Sequence, residues 1–192
     1  MQQFTGGAVH PGKTILQCRE TILRAKTMDG LIVDLRGGFG GFAEPYLNPL
    51  VAYRRPLALV VDGGSRSAKE VVSYALQSTG RARIVGTRTS GHVLGTFPRR
   101  INAWSYLEIP ELDLKVNGAR LEGRGVIPDV PVAAGKDPVA RAAEVLDRPA
   151  SAPRPPVAKP GGAIRIVPLW PESTKEKEPR PVKRPPARPP TL

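Results

Sequence analysis

An apolar run that leads into a glycine turn and then into a helix constrains the fold of this chain more than any other feature. Residues 56–61 predict a buried strand, and residues 62–65 (Asp-Gly-Gly-Ser) predict a tight turn. Apolar residues within 71–76 then recur with helical spacing, and Gly80 marks the helix end. A serine at the start of such a helix is either an N-cap or a nucleophile whose oxyanion the free N–H groups would stabilise.

Strand-like and helix-like segments alternate on both sides of this unit. Residues 31–35 predict a strand that ends in the glycine cluster 37–41, and residues 82–85 predict a third strand. Residues 44–53 predict a short helix or loop, and Thr87 to Gly95 read as a polar turn carrying His92. This alternation predicts a mainly parallel α/β core.

The segment that follows predicts a small antiparallel addition. Stretches 103–109 and 112–116 alternate like strands, and Asn117-Gly118 predicts a two-residue hairpin that leads into 119–121. Asp137-Pro138 then predicts the start of a last helix, which would end near Leu146.

The last part of the chain has a different composition. Residues 149–192 hold 13 of the 22 prolines and six of the 12 net positive charges. We therefore expect one domain over 1–148 and a disordered basic tail over 149–192, in which 162–167 could add one weak strand. The basic charge comes without aromatic interleaving or a binding motif, so no specific nucleic-acid partner is expected.

Cysteine content and hydropathy bear on disulfides, membrane spans and the compartment of the protein. The single cysteine, Cys18, cannot form an internal disulfide and is expected on the apolar face of a helix over 13–26. The sequence has no apolar run of membrane-spanning length and no signal peptide, so the compartment stays unknown.

Residues 7–14 fit the phosphate-binding pattern G-x-x-x-x-G-K-T. That motif requires a buried strand before it, and residues 1–6 do not read as one. Nucleotide binding is therefore a minor alternative.

Four segments between residues 29 and 131 resemble motifs of the tail-specific proteases, also called carboxyl-terminal processing peptidases. They follow that family's order and lie near its spacing. The segments are 30–41, similar to D-L-R-x-N-x-G-G; 64–70, similar to S-A-S-A-S-E; 77–89, similar to Q-D-x-G-R-A-x-x-V-G-x-x-T; and 122–129, similar to G-x-G-I-x-P-D.

The resemblance implies a crotonase-like α/β spiral and a serine-type endopeptidase acting on proteins or peptides, with no cofactor and no metal. The nucleophile would be Ser67, which matches the middle serine of the family motif. The oxyanion hole would comprise the Ala68 N–H and a glycine-loop amide, best matched by Gly40 and otherwise by Gly41. The family is often extracytoplasmic.

The resemblance also raises the question of the general base. The family commonly has a lysine 25 residues beyond the serine, and His92 occupies that position here. Histidine is a suitable base because imidazole titrates near neutrality. Otherwise His92 is an incidental loop residue, and the base belongs to a region nearer the N-terminus, with His10 as its remnant.

Other positions depart from the motifs or admit two interpretations. Lys69 replaces the third serine, and Ser78 replaces an aspartate. Lys69 is not expected to be the base, because residues two apart at a helix start do not face each other. Glu122 is either an accessory group that orients the site or a surface charge at a hairpin end. Gln77 is a second accessory candidate.

The resemblance covers only part of the family's usual chain. We expect no PDZ domain and a shortened first strand in these residues, that is, an N-terminally truncated catalytic domain, a fragment, or a half that depends on an oligomer or a partner. A catalytically silent scaffold that binds peptides or partners is the alternative function.

Overall fold

The structure is a computed structural model that describes Glu20, Arg24, residues 28–147 and residues 164–169. Within those residues the strands are β1 (Leu31–Asp34), β2 (Leu57–Val61), β3 (Arg83–Gly86), β4 (Gly95–Arg100), β5 (Tyr106–Val116), β6 (Ala119–Arg120), β7 (Val130–Pro131) and β8 (Ile166–Leu169). The helices are α1 (Glu44–Ala52), α2 (Ala68–Ser78) and α3 (Pro138–Asp147).

The centre of the fold is a parallel sheet with strand order β1-β2-β3-β7. Strand β2 is buried along its whole length, which explains its unbroken apolar sequence. One face of the sheet packs against α1 and α2 through Leu59, Val71 and Leu76. The other face packs against α3 through Val60, Val85 and Ala142. The arrangement is therefore a three-layer α/β/α sandwich.

A second, antiparallel group of strands lies beside this sandwich. Strand β5 pairs with β4 along one part of its length and with β6 and β8 further along. Asn117 and Gly118 both have positive φ, as the turn between β5 and β6 requires. The predicted α/β core with an antiparallel hairpin is confirmed.

Most predicted elements agree with the structure within one or two residues. The stretches 103–109 and 112–116, however, form the single strand β5, and neither β7 nor β4 was predicted. The sequence of β4 contains Pro98 and two arginines, and five of its six residues are exposed. An arm that is exposed on both faces lacks the alternation of apolar and polar residues that identifies a strand in sequence.

Of the tail over 149–192 the structure describes only residues 164–169, so the expectation that the rest is disordered stays a prediction. The weak strand allowed for 162–167 is present as Ile166–Leu169, antiparallel to β5. Ile164 and Ile166 pack against the main core. The structure around Cys18, His10 and the phosphate-binding pattern at 7–14 lies outside the described residues.

Neither a membrane-spanning helix nor a metal-binding cluster of His, Cys, Asp or Glu occurs among the residues that the structure describes.

The packing of β8 predicts that alanine substitutions at two neighbouring positions change the free energy of unfolding by different amounts. Ile166→Ala removes a half-buried side chain from the core and should lower the free energy of unfolding by about 1–3 kcal/mol. Val167→Ala is the matched control, because Val167 is 48% exposed, and should change it by less than about 0.5 kcal/mol. Urea unfolding measures both, and equal effects would mean that β8 does not pack on the core.

Candidate active site

Three loops that follow parallel strands meet at one edge of the sheet. They are the glycine loop (35–42) after β1, the serine turn (62–67) after β2 and the histidine loop (87–94) after β3. The carboxyl ends of parallel strands form the usual place for a site in an open α/β sheet. The residues predicted to be catalytic are therefore brought together by the topology.

Ser67 occupies the N-cap position of α2 with φ 56° and ψ −127°. A residue with a side chain rarely adopts such a conformation, and strained serines on a strand–turn–helix unit typically present their hydroxyl for chemistry. Ser67 is partly exposed, and its Oγ donates no hydrogen bond to a described residue. The structure thus places Ser67 at the helix start with its hydroxyl proton uncommitted.

Gly40 lies directly against this serine. A β-carbon on Gly40 would overlap the β-carbon of Ser67 and stand 2.5 Å from Oγ and 3.1 Å from the Ala68 nitrogen. Only glycine allows that approach. The two backbone segments proposed for the oxyanion hole, at Gly40 and Ala68, are therefore adjacent to the hydroxyl.

A buried carboxylate, Glu70, connects Ser67 to the histidine loop. Its Oε2 accepts hydrogen bonds from the N–H groups of Ser67 (3.2 Å) and His92 (3.0 Å). Its Oε1 accepts from the Gly91 N–H at 2.7 Å and from the Thr89 hydroxyl at 2.5 Å. Glu70 is 0% exposed, so these donors replace the water that the carboxylate loses on burial.

His92 is close to Ser67 through its backbone. The Ser67 N–H donates to the His92 carbonyl at 2.8 Å. The imidazole is exposed and makes no hydrogen bond to a described residue. The structure thus brings the base candidate close to the candidate nucleophile through the backbone, without a hydrogen bond between the two side chains.

Glu122 holds the continuation of the histidine loop. Its Oε2 accepts from the N–H groups of Val93 (2.7 Å) and Leu94 (3.1 Å). Together, Glu70 and Glu122 bind four successive amides, from Gly91 to Leu94. These contacts favour the accessory role for Glu122 over that of a surface charge.

Asp62 and Ser65 tie the serine turn to the glycine loop. Asp62 Oδ1 accepts from the N–H groups of Gly37 and Gly64, both at 2.9 Å. The fully buried Ser65 donates its hydroxyl to the Leu35 carbonyl at 2.9 Å. The two loops therefore keep a fixed separation.

Charged groups surround the base of the glycine loop. Burial lowers the pKa of Lys69, and the carboxylates of Asp62 and Asp34 oppose this shift. Burial alone would raise the pKa of Asp34, but the Arg36 guanidinium outweighs it and holds that pKa below its ordinary value. The Lys69 ammonium points to the glycine loop, where it donates to the Gly37 carbonyl.

Gln77 lies at the other end of α2, ten residues after Ser67 and so about 15 Å along the helix. Its Nε2 donates to the Ile127 carbonyl at 2.8 Å and to Asp129 Oδ1 at 3.1 Å. Asp129 in turn accepts from the Ile84 N–H at 2.8 Å. These contacts join the segment 127–129 to the helix and to β3.

Sequence reasoning assigned no role to Glu70 or Asp62. The capping pattern Ser67-x-x-Glu70 was a readable signal for Glu70, because an acidic residue at that spacing reaches back to the N-cap amide. Its further bonds to 89–92 had no such signal, because they join segments about 20 residues apart. Asp62 has no signal in the sequence beyond its place at the start of the turn.

The Glu70 network predicts a large effect from an isosteric change. Glu70→Gln puts an NH₂ group where backbone N–H donors point, and should lower the free energy of unfolding by about 2–4 kcal/mol. Glu144→Gln is the control, because Glu144 is exposed and its ion pair with Arg141 lies at the surface, so the change should be below about 1 kcal/mol. Denaturant titration measures the difference; similar values would show that Glu70 does not hold the loop.

A family model and two curated relatives that match this chain are all of the peptidase class. Residues 46–132 match the model of Peptidase family S41. The chain is 35% identical over 80 residues to the carboxy-terminal-processing protease of Bartonella bacilliformis, covering 41% of this chain and 18% of that protein. It is 30% identical over 128 residues to the tricorn protease of Thermoplasma volcanium, covering 53% of this chain and 12% of that protein.

A solved structure agrees at the level of the fold. The photosystem II D1 C-terminal processing protease superposes with a TM-score of 0.53 at 22% identity, over 70% of this chain and 43% of that one. The chain spans only 12 to 18% of the length of the curated relatives it matches. Motifs, fold and family model agree, and residues 46–132 of the chain belong to peptidase family S41, as a portion of its catalytic domain.

Proposed function

We propose that this chain carries the nucleophile and oxyanion site of a serine peptidase that hydrolyses peptide bonds in protein substrates. The observation that carries the proposal is the contact of Gly40 with Ser67, a serine whose backbone is strained and whose hydroxyl donates to no described residue. The family membership supports the same reaction, because S41 proteins are serine peptidases.

The proposed chemistry proceeds in two steps. Ser67 Oγ attacks the scissile carbonyl carbon while its proton passes to a base, and backbone N–H groups at Ala68 and Gly40 stabilise the oxyanion. The carbon–nitrogen bond then breaks, the amine leaves with the proton, and an acyl-enzyme remains on Ser67. Water hydrolyses this ester and frees the hydroxyl. No metal or cofactor enters either step.

We assign the base to His92. Support comes from the Ser67 N–H bond to the His92 carbonyl and from the carboxylates that hold the loop on both sides of it. The imidazole would reach Oγ by rotation of its side chain, since catalytic hydrogen bonds often tighten only when substrate binds.

The second candidate function is a catalytically silent, peptide-binding scaffold. The observation in its favour is that the exposed imidazole makes no hydrogen bond to Ser67 Oγ.

Nucleotide binding at 7–14 is the minor alternative from the sequence, and it is tested separately. ATP titration should show the same affinity in the wild type and in Lys13→Ala if the pattern at 7–14 binds no nucleotide.

A fluorophosphonate probe separates the peptidase from the scaffold. The probe phosphonylates an activated serine, so the wild type should be labelled and Ser67→Ala should not. Ser105→Ala is the matched control, because Ser105 is exposed in the β4–β5 hairpin, and should be labelled like the wild type. No labelling of the wild type under any condition would reject the peptidase in favour of the scaffold.

The base assignment has its own test. His92→Ala should slow labelling about 10²- to 10⁴-fold, the usual contribution of a general base. His92→Lys should recover part of the rate, because the tail-specific proteases that the sequence resembles carry lysine at this position. A full rate in His92→Ala, with Ser67→Ala inactive, would refute the assignment and make His10→Ala the next variant to measure.

A further inference from the structure

Lys69 joins the start of α2 to the base of the glycine loop. Its Nζ donates to the Gly37 carbonyl and lies 3.5 Å from the Arg36 carbonyl. It also stands 3.2 Å from the position that a β-carbon on Gly38 would occupy. The ammonium therefore contacts three successive residues of the loop, two positions after Ser67 in the chain.

Asp62 holds the same point from the other side. The Gly37 N–H donates to Asp62 Oδ1 at 2.9 Å, so both backbone polar groups of Gly37 are engaged. Gly37 has φ +55°, a conformation that other residues rarely adopt. The direction in which the glycine loop leaves β1 is thus fixed at Gly37.

The rest of the loop has few restraints of its own. Residues 38–42 make no hydrogen bond to any described residue. The next hydrogen bonds along the chain are those that the Ala43 carbonyl accepts at the start of α1. Besides Gly40 on Ser67 and Lys69 beside Gly38, the Arg66 guanidinium lies over the Phe39 ring, 5.5 Å from its centre. Gly40 is three residues from Gly37, so its place against Ser67 depends on the anchor at Gly37.

Oxyanion donors need placement within about 0.5 Å, and a displacement near 1 Å can cost about 10²-fold in rate. A serine at position 69, as in the motif that the sequence resembles, is too short to reach the Gly37 carbonyl. We propose that Lys69 is a positioning residue that anchors the glycine loop at Gly37 and so holds Gly40 against the Ser67 hydroxyl. This rests on the proposed function of Ser67. Desolvation of the half-buried ammonium, which lowers the pKa of Lys69, is consistent with that contact.

The test compares charge removal at two lysines. Lys69→Met should lower the limiting rate of fluorophosphonate labelling about 10- to 100-fold, with little change in the probe concentration at half-maximal rate. Lys69→Arg should recover part of the rate, because a guanidinium also donates to carbonyls. Lys136→Met removes an exposed lysine and should label like the wild type. Gly40→Ala displaces Ser67 directly, so its labelling rate shows how far a disrupted site slows the reaction.

A second measurement does not depend on catalysis. The amide of Gly37 is the probe, because its N–H is hydrogen-bonded to Asp62 Oδ1 and so is protected from exchange. Hydrogen exchange of this amide should speed up in Lys69→Met and stay at the wild-type rate in Lys136→Met. If the wild type is not labelled, the proposed function fails and exchange alone decides: faster exchange supports the anchor and unchanged exchange overturns it.

If the wild type is labelled, an unchanged rate in Lys69→Met alongside a lost rate in Gly40→Ala overturns the proposal. Should Lys69→Met fail to fold, Lys69→Gln against Lys69→Arg gives the same contrast. Rates that are equal in these two variants and in the wild type would again overturn it.

Discussion

The site depends on one buried carboxylate more than on any other group. Glu70 lies within the first turn of α2, where the helix dipole favours a negative charge, and it is enclosed by donors from the histidine loop. Because one carboxylate receives the amides of Ser67 and His92, the start of the helix and the loop after β3 cannot move independently. The separation of nucleophile and base candidate is thus set by backbone, before any contact between their side chains.

The sequence predicted the parts of the fold that local signals determine. The buried strand β2, the turn at Asn117-Gly118 and helix α3 each have a pattern that is complete within about ten residues. Strand β4 has no such pattern, since its only neighbour is β5 and both of its faces meet solvent over most of its length. Strand β8 joins residues about 50 positions away in the chain, and its pairing is decided by β5 rather than by its own sequence.

For the site, the sequence identified the residues that belong to motifs but not the hydrogen bonds that join their loops. Ser67, Ala68 and Gly40 were identified, and the structure brings them together. What could not be predicted is that Glu122 binds the amides beyond His92, or that Lys69 reaches the loop after a different strand. Such contacts span about 30 residues and depend on loop geometry. A single sequence carries no record of that geometry.

The backbone of Ser67 has a consequence for the stability of the whole molecule. A side chain held at φ 56° and ψ −127° costs of the order of 1–3 kcal/mol, and total stabilities of domains are only about 5–15 kcal/mol. A glycine at this position would relieve that cost and lose the hydroxyl. The fold therefore loses part of its stability at Ser67, the proposed nucleophile, where relief of the strain by glycine would remove the hydroxyl. Such a trade between stability and function is common where sites are strained.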